Sequence, residues 1–190
     1  MEKRFVFQWI AWNMAGWSAG IGSAALLDGP WGWIASGAIV GLAQWLALRR
    51  RMQLSPAWIA GTCLAWTAGI WAGEAHAFFL LDPFWAGAVG GTLAGCAQYA
   101  ILRRRFSRSA LWIPSTIAAS TLGWVAGTYA GLWAVNSFSV LAAYFSGGAV
   151  GGAVMGGASA PLLLAMLRHP KPQPAVPAQP IEGRLGGSCI

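Results

Sequence analysis

The sequence predicts an all-α membrane protein with six transmembrane helices, arranged as three parallel helical-hairpin repeats with both termini in the cytoplasm. Three observations lead to this fold class: an apolar composition, an internal repeat, and basic residues confined to alternate connections. Of the 190 residues, 57% are hydrophobic and 9% are charged, whereas soluble domains have about 25% charged residues. A soluble chain could not bury that much apolar surface, so most of the surface is expected to face lipid.

The repeat is a block of 54 residues that occurs twice without a gap. The segment Gly41–Arg51 returns as 95–105, so that Gln44 corresponds to Gln98. Each block contains an apolar run, an acidic turn, a glycine-rich apolar run and an arginine cluster, which is the pattern of a transmembrane hairpin. A third, diverged hairpin follows, in which Ala158 and Ser159 best match the alanine–glutamine position.

The elements follow from apolar runs of about 20 residues, the length that crosses a hydrocarbon core. The predicted spans are 5–27, 31–48, 56–80, 83–102, 110–134 and 139–167. They form a domain over residues 1–169, with hairpin repeats at about 5–51, 56–105 and 110–168. Parallel hairpins differ from the inverted repeats of many secondary transporters. Residues 170–190 contain five evenly scattered prolines and are predicted to be a disordered cytoplasmic tail.

The charge pattern sets the orientation. The net charge is +7, and the basic residues lie at the N-terminus, in the second and fourth connections, and at the C-terminus. Such clusters mark the cytoplasmic side, which predicts a multi-pass protein of the bacterial inner membrane and not a nucleic-acid-binding protein. The clusters are also expected to contact anionic lipid headgroups, worth about 1 kcal/mol per residue. The residues concerned are Arg49, Arg50, Arg51, Arg103, Arg104 and Arg105.

Small residues spaced four apart occur in every predicted helix, and such stripes let helix backbones approach closely. Packing within the bundle is the favoured interpretation. Self-association through a spare stripe, above all in the glycine-dense last helix, stays open, as does binding of another membrane protein.

Thirteen tryptophans add to the packing signal. Trp58 and Trp112 fall at span ends, where indoles favour the membrane interface. Trp17 and Trp66 lie deeper, and most deep tryptophans are expected to pack against glycines, with a flat aromatic or isoprenoid ligand between them as an alternative.

Polar side chains within the apolar runs are the candidate site. Gln44 and Gln98 lie five residues before their arginine clusters, and an amide in hydrocarbon needs a partner. Interhelical hydrogen bonds in membranes contribute about 0.6 kcal/mol on average, which suits a clamp that fixes helix register. The alternative is the polar lining of a ligand or ion path. The predicted set is Asn13, Gln44, Gln98, Trp66 and Ser159.

Glu74 and His76 form a separate, ionisable candidate site, because such groups within a membrane by default mark function. Two residues apart on a helix, they point in nearly opposite directions. They face water instead if the helix ends at Gly73. No catalytic constellation, metal-ligand spacing or cofactor motif is recognisable, so neither an enzyme, a metal nor a cofactor is expected.

The motif Gly-x-x-Gln-(Trp/Tyr)-x-x-Leu-Arg, at 41–49 and 95–103, resembles that of small uncharacterised bacterial multi-span membrane proteins. The resemblance covers residues 11–113 and implies the hairpin fold but no activity. In size and tryptophan content the chain is also similar to the substrate-capture subunits of vitamin importers. The predicted function is a membrane scaffold or accessory subunit that packs against lipid or another membrane protein. The alternatives are a small-solute binding or transport subunit with an intramembrane polar and aromatic site, and a pigment or quinone binder.

Overall fold

The computed structural model describes residues 2–27, 29–74 and 83–171, and over these residues it contains six α-helices and no β-strand. This confirms the predicted all-α class. The helices are α1 (Glu2–Leu26), α2 (Pro30–Met52), α3 (Ala57–Glu74), α4 (Pro83–Leu102), α5 (Trp112–Ser137) and α6 (Val140–Arg168).

The helix ends follow local chemistry. Gly29 adopts a positive φ of 67° directly before Pro30, which opens α2 at a position where a missing N–H costs nothing. The helix continues through its arginines to Met52, four residues past the predicted span, because basic residues favour a helix C-terminus. Ser139 caps α6 by accepting a hydrogen bond from the Ala142 N–H.

The six helices form a closed ring. Each helix packs against the next one in the chain, and α6 returns to pack against α1. The odd-numbered helices begin and the even-numbered helices end at the same end of the ring. We call it the arginine end, because it carries the arginine clusters of α2 and α4; the other is called the opposite end.

Glycines allow the close approach of neighbouring helices. A Cβ added at Gly41 would lie 3.0 Å from the Ile59 carbonyl oxygen on α3, and one at Gly91 would lie 2.9 Å from Ile117 Cα on α5. The last helix has two such stripes. Gly147 and Gly151 face α5, whereas Gly148, Gly152 and Gly156 face α1. Both stripes are therefore used for packing within the chain, and self-association of the protein stays a prediction.

The arginine end is closed by contacts between α6 and the rest of the ring. The residues after α6 cross the α4–α5 connection, where the Lys171 N–H donates to the Arg105 carbonyl at 2.8 Å and its Nζ donates to the Arg103 carbonyl at 2.7 Å. Arg168 donates two hydrogen bonds to Glu2 at the start of α1, at 2.7 and 3.0 Å.

This exposed pairing affects protonation. The hydrogen bonds and charge of Arg168 hold the pKa of the Glu2 carboxyl below its ordinary value. The pair therefore favours the folded ring above the ordinary carboxyl pKa, and this contribution is lost as the pH falls through the lowered pKa of the folded state.

Two helices of the described residues, α2 and α6, are long and apolar enough to cross a membrane. Both helices pack against α1. In each of them, less than half of the apolar stretch is buried within the protein. The rest of each apolar stretch is available to surroundings other than the protein itself.

Candidate functional site

The interior of the ring changes in character along its axis. At the arginine end it is filled by a hydrophobic plug, which we define as seven buried apolar side chains. Three leucines, one each from α2, α4 and α6, are fully buried at its centre. The members of the plug are Phe5, Leu48, Met52, Leu102, Phe106, Leu163 and Met166.

One helical turn further along the axis lies a polar network centred on the two repeated glutamines. Gln98 donates from Nε2 to Gln44 Oε1 at 3.2 Å and to Thr62 Oγ1 at 3.0 Å. Gln44 in turn donates to Asn13 Oδ1 at 3.0 Å, and the Asn13 amide donates to the Trp9 carbonyl at 2.9 Å. The network therefore joins α1, α2, α3 and α4. Hydrogen bonds between helices can fix the positions of these helices relative to one another along their axes.

Two tryptophans that the sequence places at the membrane interface belong to this network. Trp58 and Trp112 are buried, at 0% and 2% exposure. Their indole N–H groups donate to Gln44 Oε1 at 3.3 Å and to Gln98 Oε1 at 2.8 Å. The interfacial prediction was therefore wrong for both. The sequence does contain a sign of this pairing, since Trp58 follows Gln44 and Trp112 follows Gln98 by the same 14 residues.

The third hairpin supplies a variant of the same pairing. Ser159 on α6 occupies the level of the glutamines, and the Trp9 indole donates to its hydroxyl at 2.9 Å. Ser159 follows Gln98 by 61 residues rather than 54, because α6 begins 57 residues after α4 and Ser159 lies four residues further into its helix than Gln98 does. Three hydrogen bonds described here thus run from a tryptophan indole to a polar side chain of a neighbouring helix, each within a different helix pair.

These side chains surround a small polar chamber with a volume of about 30 Å³. All six helices contribute to its wall, with Thr116 and Ser120 of α5 completing the polar lining. A water molecule needs about 10–15 Å³ measured in this way, so the chamber has room for one or two waters. Any larger solute is excluded unless the network rearranges.

A tryptophan cluster closes the chamber on the side of the opposite end. Trp17, Trp66 and Trp124 come from α1, α3 and α5 and meet with ring centroids 4.6 to 6.3 Å apart. Trp17 and Trp66 are nearly perpendicular, at 88°, so the positive edge of one ring meets the negative face of the other. Within the described residues the indole nitrogens of Trp17 and Trp124 have no hydrogen-bond partner, so side-chain packing rather than polar bonding holds this cluster.

Beyond the cluster lies an apolar cavity of about 420 Å³ between α1, α5 and α6. Trp17 and Trp124 form its floor, and Met155 lines both this cavity and the polar chamber. Of the seventeen described residues that line it, seven are glycines of α5 and α6. Volumes of about 300–1,000 Å³ with apolar walls and a few polar groups are typical of small-molecule sites. The sequence offered a ligand between the deep tryptophans as an alternative, but it did not predict the position of this cavity, because its wall combines residues more than 100 positions apart.

The structure brings the five predicted clamp residues to one region, since Asn13, Gln44, Gln98, Trp66 and Ser159 all line the polar chamber. The ionisable candidates are not described to the same extent. Helix α3 ends at Glu74, but the Glu74 side chain and His76 lie outside the described residues.

The arginine clusters remain at the surface of the arginine end. Arg49 stacks on the Trp45 ring at 4.8 Å, Arg51 on the Phe5 ring at 5.0 Å, and Arg105 donates to the Met52 carbonyl. Arg50, Arg103 and Arg104 are exposed and make no side-chain contact of these kinds in the described chain. Lipid contact by the clusters stays a prediction.

Comparison with protein-family models, with curated proteins and with solved structures finds no match to this chain. The site therefore has to be interpreted from its own geometry.

Proposed function

We propose that this chain is a membrane-embedded binding protein, whose ring of six transmembrane helices holds a small, mostly apolar molecule in the apolar cavity. The observation that carries this proposal is the cavity itself, which is large, glycine-walled and floored by tryptophans. The plug and the network fill the interior toward the arginine end, so a molecule would enter from the opposite end.

A membrane setting for the whole ring is supported by its surface. Large apolar side chains are exposed on every helix, among them Phe7 at 72%, Leu64 at 71% and Trp133 at 65% exposure. Patches of this extent are rare on soluble monomers. Helices of 18 to 29 residues are about 27–44 Å long at 1.5 Å per residue, which matches a hydrocarbon core of about 30 Å. The arrangement as three parallel hairpin repeats with cytoplasmic arginines belongs to the same proposal.

Cysteine labelling tests the proposed topology. Single substitutions Arg50→Cys, Arg104→Cys and Ser137→Cys are placed in a background in which the three native cysteines are alanine. In sealed inside-out vesicles, a membrane-impermeant maleimide is expected to label the first two and not the third. Labelling of Arg50→Cys and Arg104→Cys from different sides would contradict the hairpin topology.

The position of the binding site differs from the one that the sequence suggested. A solute site among Gln44 and Gln98 was the alternative, but the chamber between them has only about 30 Å³. The cavity beyond the tryptophan cluster is more than ten times larger. We therefore assign binding to the cavity and a structural role to the glutamine network.

A cavity-filling substitution tests the binding function. Thr128 lines the cavity, whereas its neighbour Tyr129 does not and is 68% exposed. Wild-type protein purified in mild detergent is expected to retain a small molecule that mass spectrometry detects. The Thr128→Trp variant should lose it because the new indole occupies the space, and Tyr129→Trp should retain it. Equal retention by both variants, or no small molecule in any preparation and no stabilising compound in a thermal screen, would overturn the proposal.

The scaffold function stays a prediction, and fewer helix surfaces are available to a protein partner. The glycine stripes of α6 contact α1 and α5, so a partner would have to dock on large exposed side chains such as Tyr129 and Trp133 of α5. Native mass spectrometry of the same preparation reports protein partners alongside small molecules.

A further inference from the structure

We infer that the molecule held by the apolar cavity is neutral and has a flat ring system with at least one carbonyl or hydroxyl oxygen. This inference rests on the proposed function and specifies its ligand class. Three features of the described cavity wall carry it: its lack of charged side chains, the two indoles at its floor, and two hydroxyl groups that make no hydrogen bond within the described chain.

The cavity favours a neutral ligand. Among the described residues that line it, none is charged. The basic clusters lie at the arginine end, separated from the cavity by the plug, the polar chamber and the tryptophan cluster. The described wall offers an ion no counter-charge, and burying an unpaired charge is far more costly than burying a neutral polar group.

The wall favours a flat ligand. The seven glycines of α5 and α6 that line the cavity also bring these helices close to each other and to α1, so backbone atoms border the cavity where the helices meet. The floor consists of Trp17 and Trp124, whose rings are 6.3 Å apart and inclined at 76°. A planar ligand ring against this floor can make the offset-stacked or edge-to-face contacts that aromatic rings prefer.

Two hydroxyl groups supply the polar recognition. Other threonines of these helices use their hydroxyls inside the helix, as Thr116 and Thr121 do by donating to the carbonyl four residues earlier at 2.7 and 2.8 Å. Thr128 and Tyr144 make no such bond within the described chain, and both line the cavity. They lie on α5 and α6, so a ligand oxygen between the two helices can accept from either.

Menadione, a neutral naphthoquinone with two carbonyl oxygens, serves as the probe. Its binding to the full-length protein in lipid nanodiscs is measured by quenching of tryptophan fluorescence, with empty nanodiscs and the Thr128→Trp variant as corrections for partitioning into lipid. Wild-type protein is expected to show saturable quenching. Thr128→Val and Tyr144→Phe remove only the hydroxyl groups, and each is expected to weaken binding about fivefold, the effect of one net hydrogen bond.

Controls separate the ligand class from the binding function. Tyr129→Phe removes a hydroxyl outside the cavity and should leave the affinity unchanged. The charged analogue 1,4-naphthoquinone-2-sulfonate should bind at least tenfold more weakly than menadione. Suppose that menadione competes with the co-purifying molecule but its affinity is unchanged by Thr128→Val and Tyr144→Phe, or that the sulfonate binds as tightly as menadione. The proposed ligand class is then wrong, while the cavity remains a binding site for a small molecule. If menadione does not bind while the co-purified molecule is retained, the class is also wrong. If nothing binds, both proposals fail.

Discussion

Replacing Gly152 with alanine is expected to destabilise the ring by about 3 kcal/mol, a typical upper value for adding volume to a packed interior. A Cβ at this position would meet the Asn13 carbonyl oxygen and carbonyl carbon and Trp17 Cβ, all on α1. Backbone atoms cannot rotate away as a flexible side chain can. The two helices that close the ring must therefore separate, which also disturbs the Asn13 amide within the polar network.

The matched control lies five residues further along the same helix. A Cβ at Gly157 would meet nothing within 4 Å, so Gly157→Ala should be neutral or stabilise by up to about 1 kcal/mol, since alanine favours the helix over glycine. Thermal unfolding in detergent is expected to show Gly152→Ala about 6–12 °C below the wild-type protein and Gly157→Ala at or above it. If Gly152→Ala unfolded together with Gly157→Ala, the close packing of α1 on α6 would be refuted.

The second large effect is expected for Gln98→Leu, which removes three hydrogen bonds at once. Gln98 donates to Gln44 and Thr62 and accepts from the Trp112 indole at 2.8 Å. Interhelical bonds in membranes average about 0.6 kcal/mol, and a buried N–H left without a partner costs about 1–3 kcal/mol. The two lost donated bonds and the unpartnered Trp112 N–H together make the total about 2–4 kcal/mol.

Cys96→Leu is the control for Gln98→Leu, because Cys96 is exposed on the same helix and should change stability by less than about 0.5 kcal/mol. A double-mutant cycle with Trp112→Phe adds a sharper criterion. The two substitutions should be strongly non-additive, since either one alone breaks the Trp112–Gln98 bond. Additive effects would mean that this bond does not form. The affinity of the cavity for menadione should be unchanged in the folded fraction of Gln98→Leu, as Gln98 does not line the cavity.

The burial of the tryptophans is a property that the repeat pattern did not predict. Trp12 and Trp66 are equivalent in the repeat, yet Trp12 is 40% exposed and Trp66 is 4% exposed. Trp17 and Trp71 are also equivalent, and here the first is buried at 4% while the second is 49% exposed. Equivalent positions in two repeats share helix and register. They differ in burial because the neighbours on either side differ: α1 packs against α6 and α2, whereas α3 packs against α2 and α4.

The sequence by itself determined the elements and the polar level of the site. Apolar runs, glycine and proline at the turns, and the arginine clusters predict helix number and approximate ends, because these depend on residues close in the chain. The repeated glutamines also predicted a buried amide pair, since an amide on an apolar helix requires a partner wherever that helix packs.

Only the tertiary structure decided the closure of the ring and what it encloses. The return of α6 to α1 places Ser159 beside Trp9 at 2.9 Å, a contact between opposite ends of the chain that no local pattern contains. The burial of Trp58 and Trp112, the tryptophan cluster and the apolar cavity depend in the same way on which faces of non-adjacent segments meet. Face-to-face packing is set by the shapes of all neighbours together, and a one-dimensional pattern specifies only one helix face at a time.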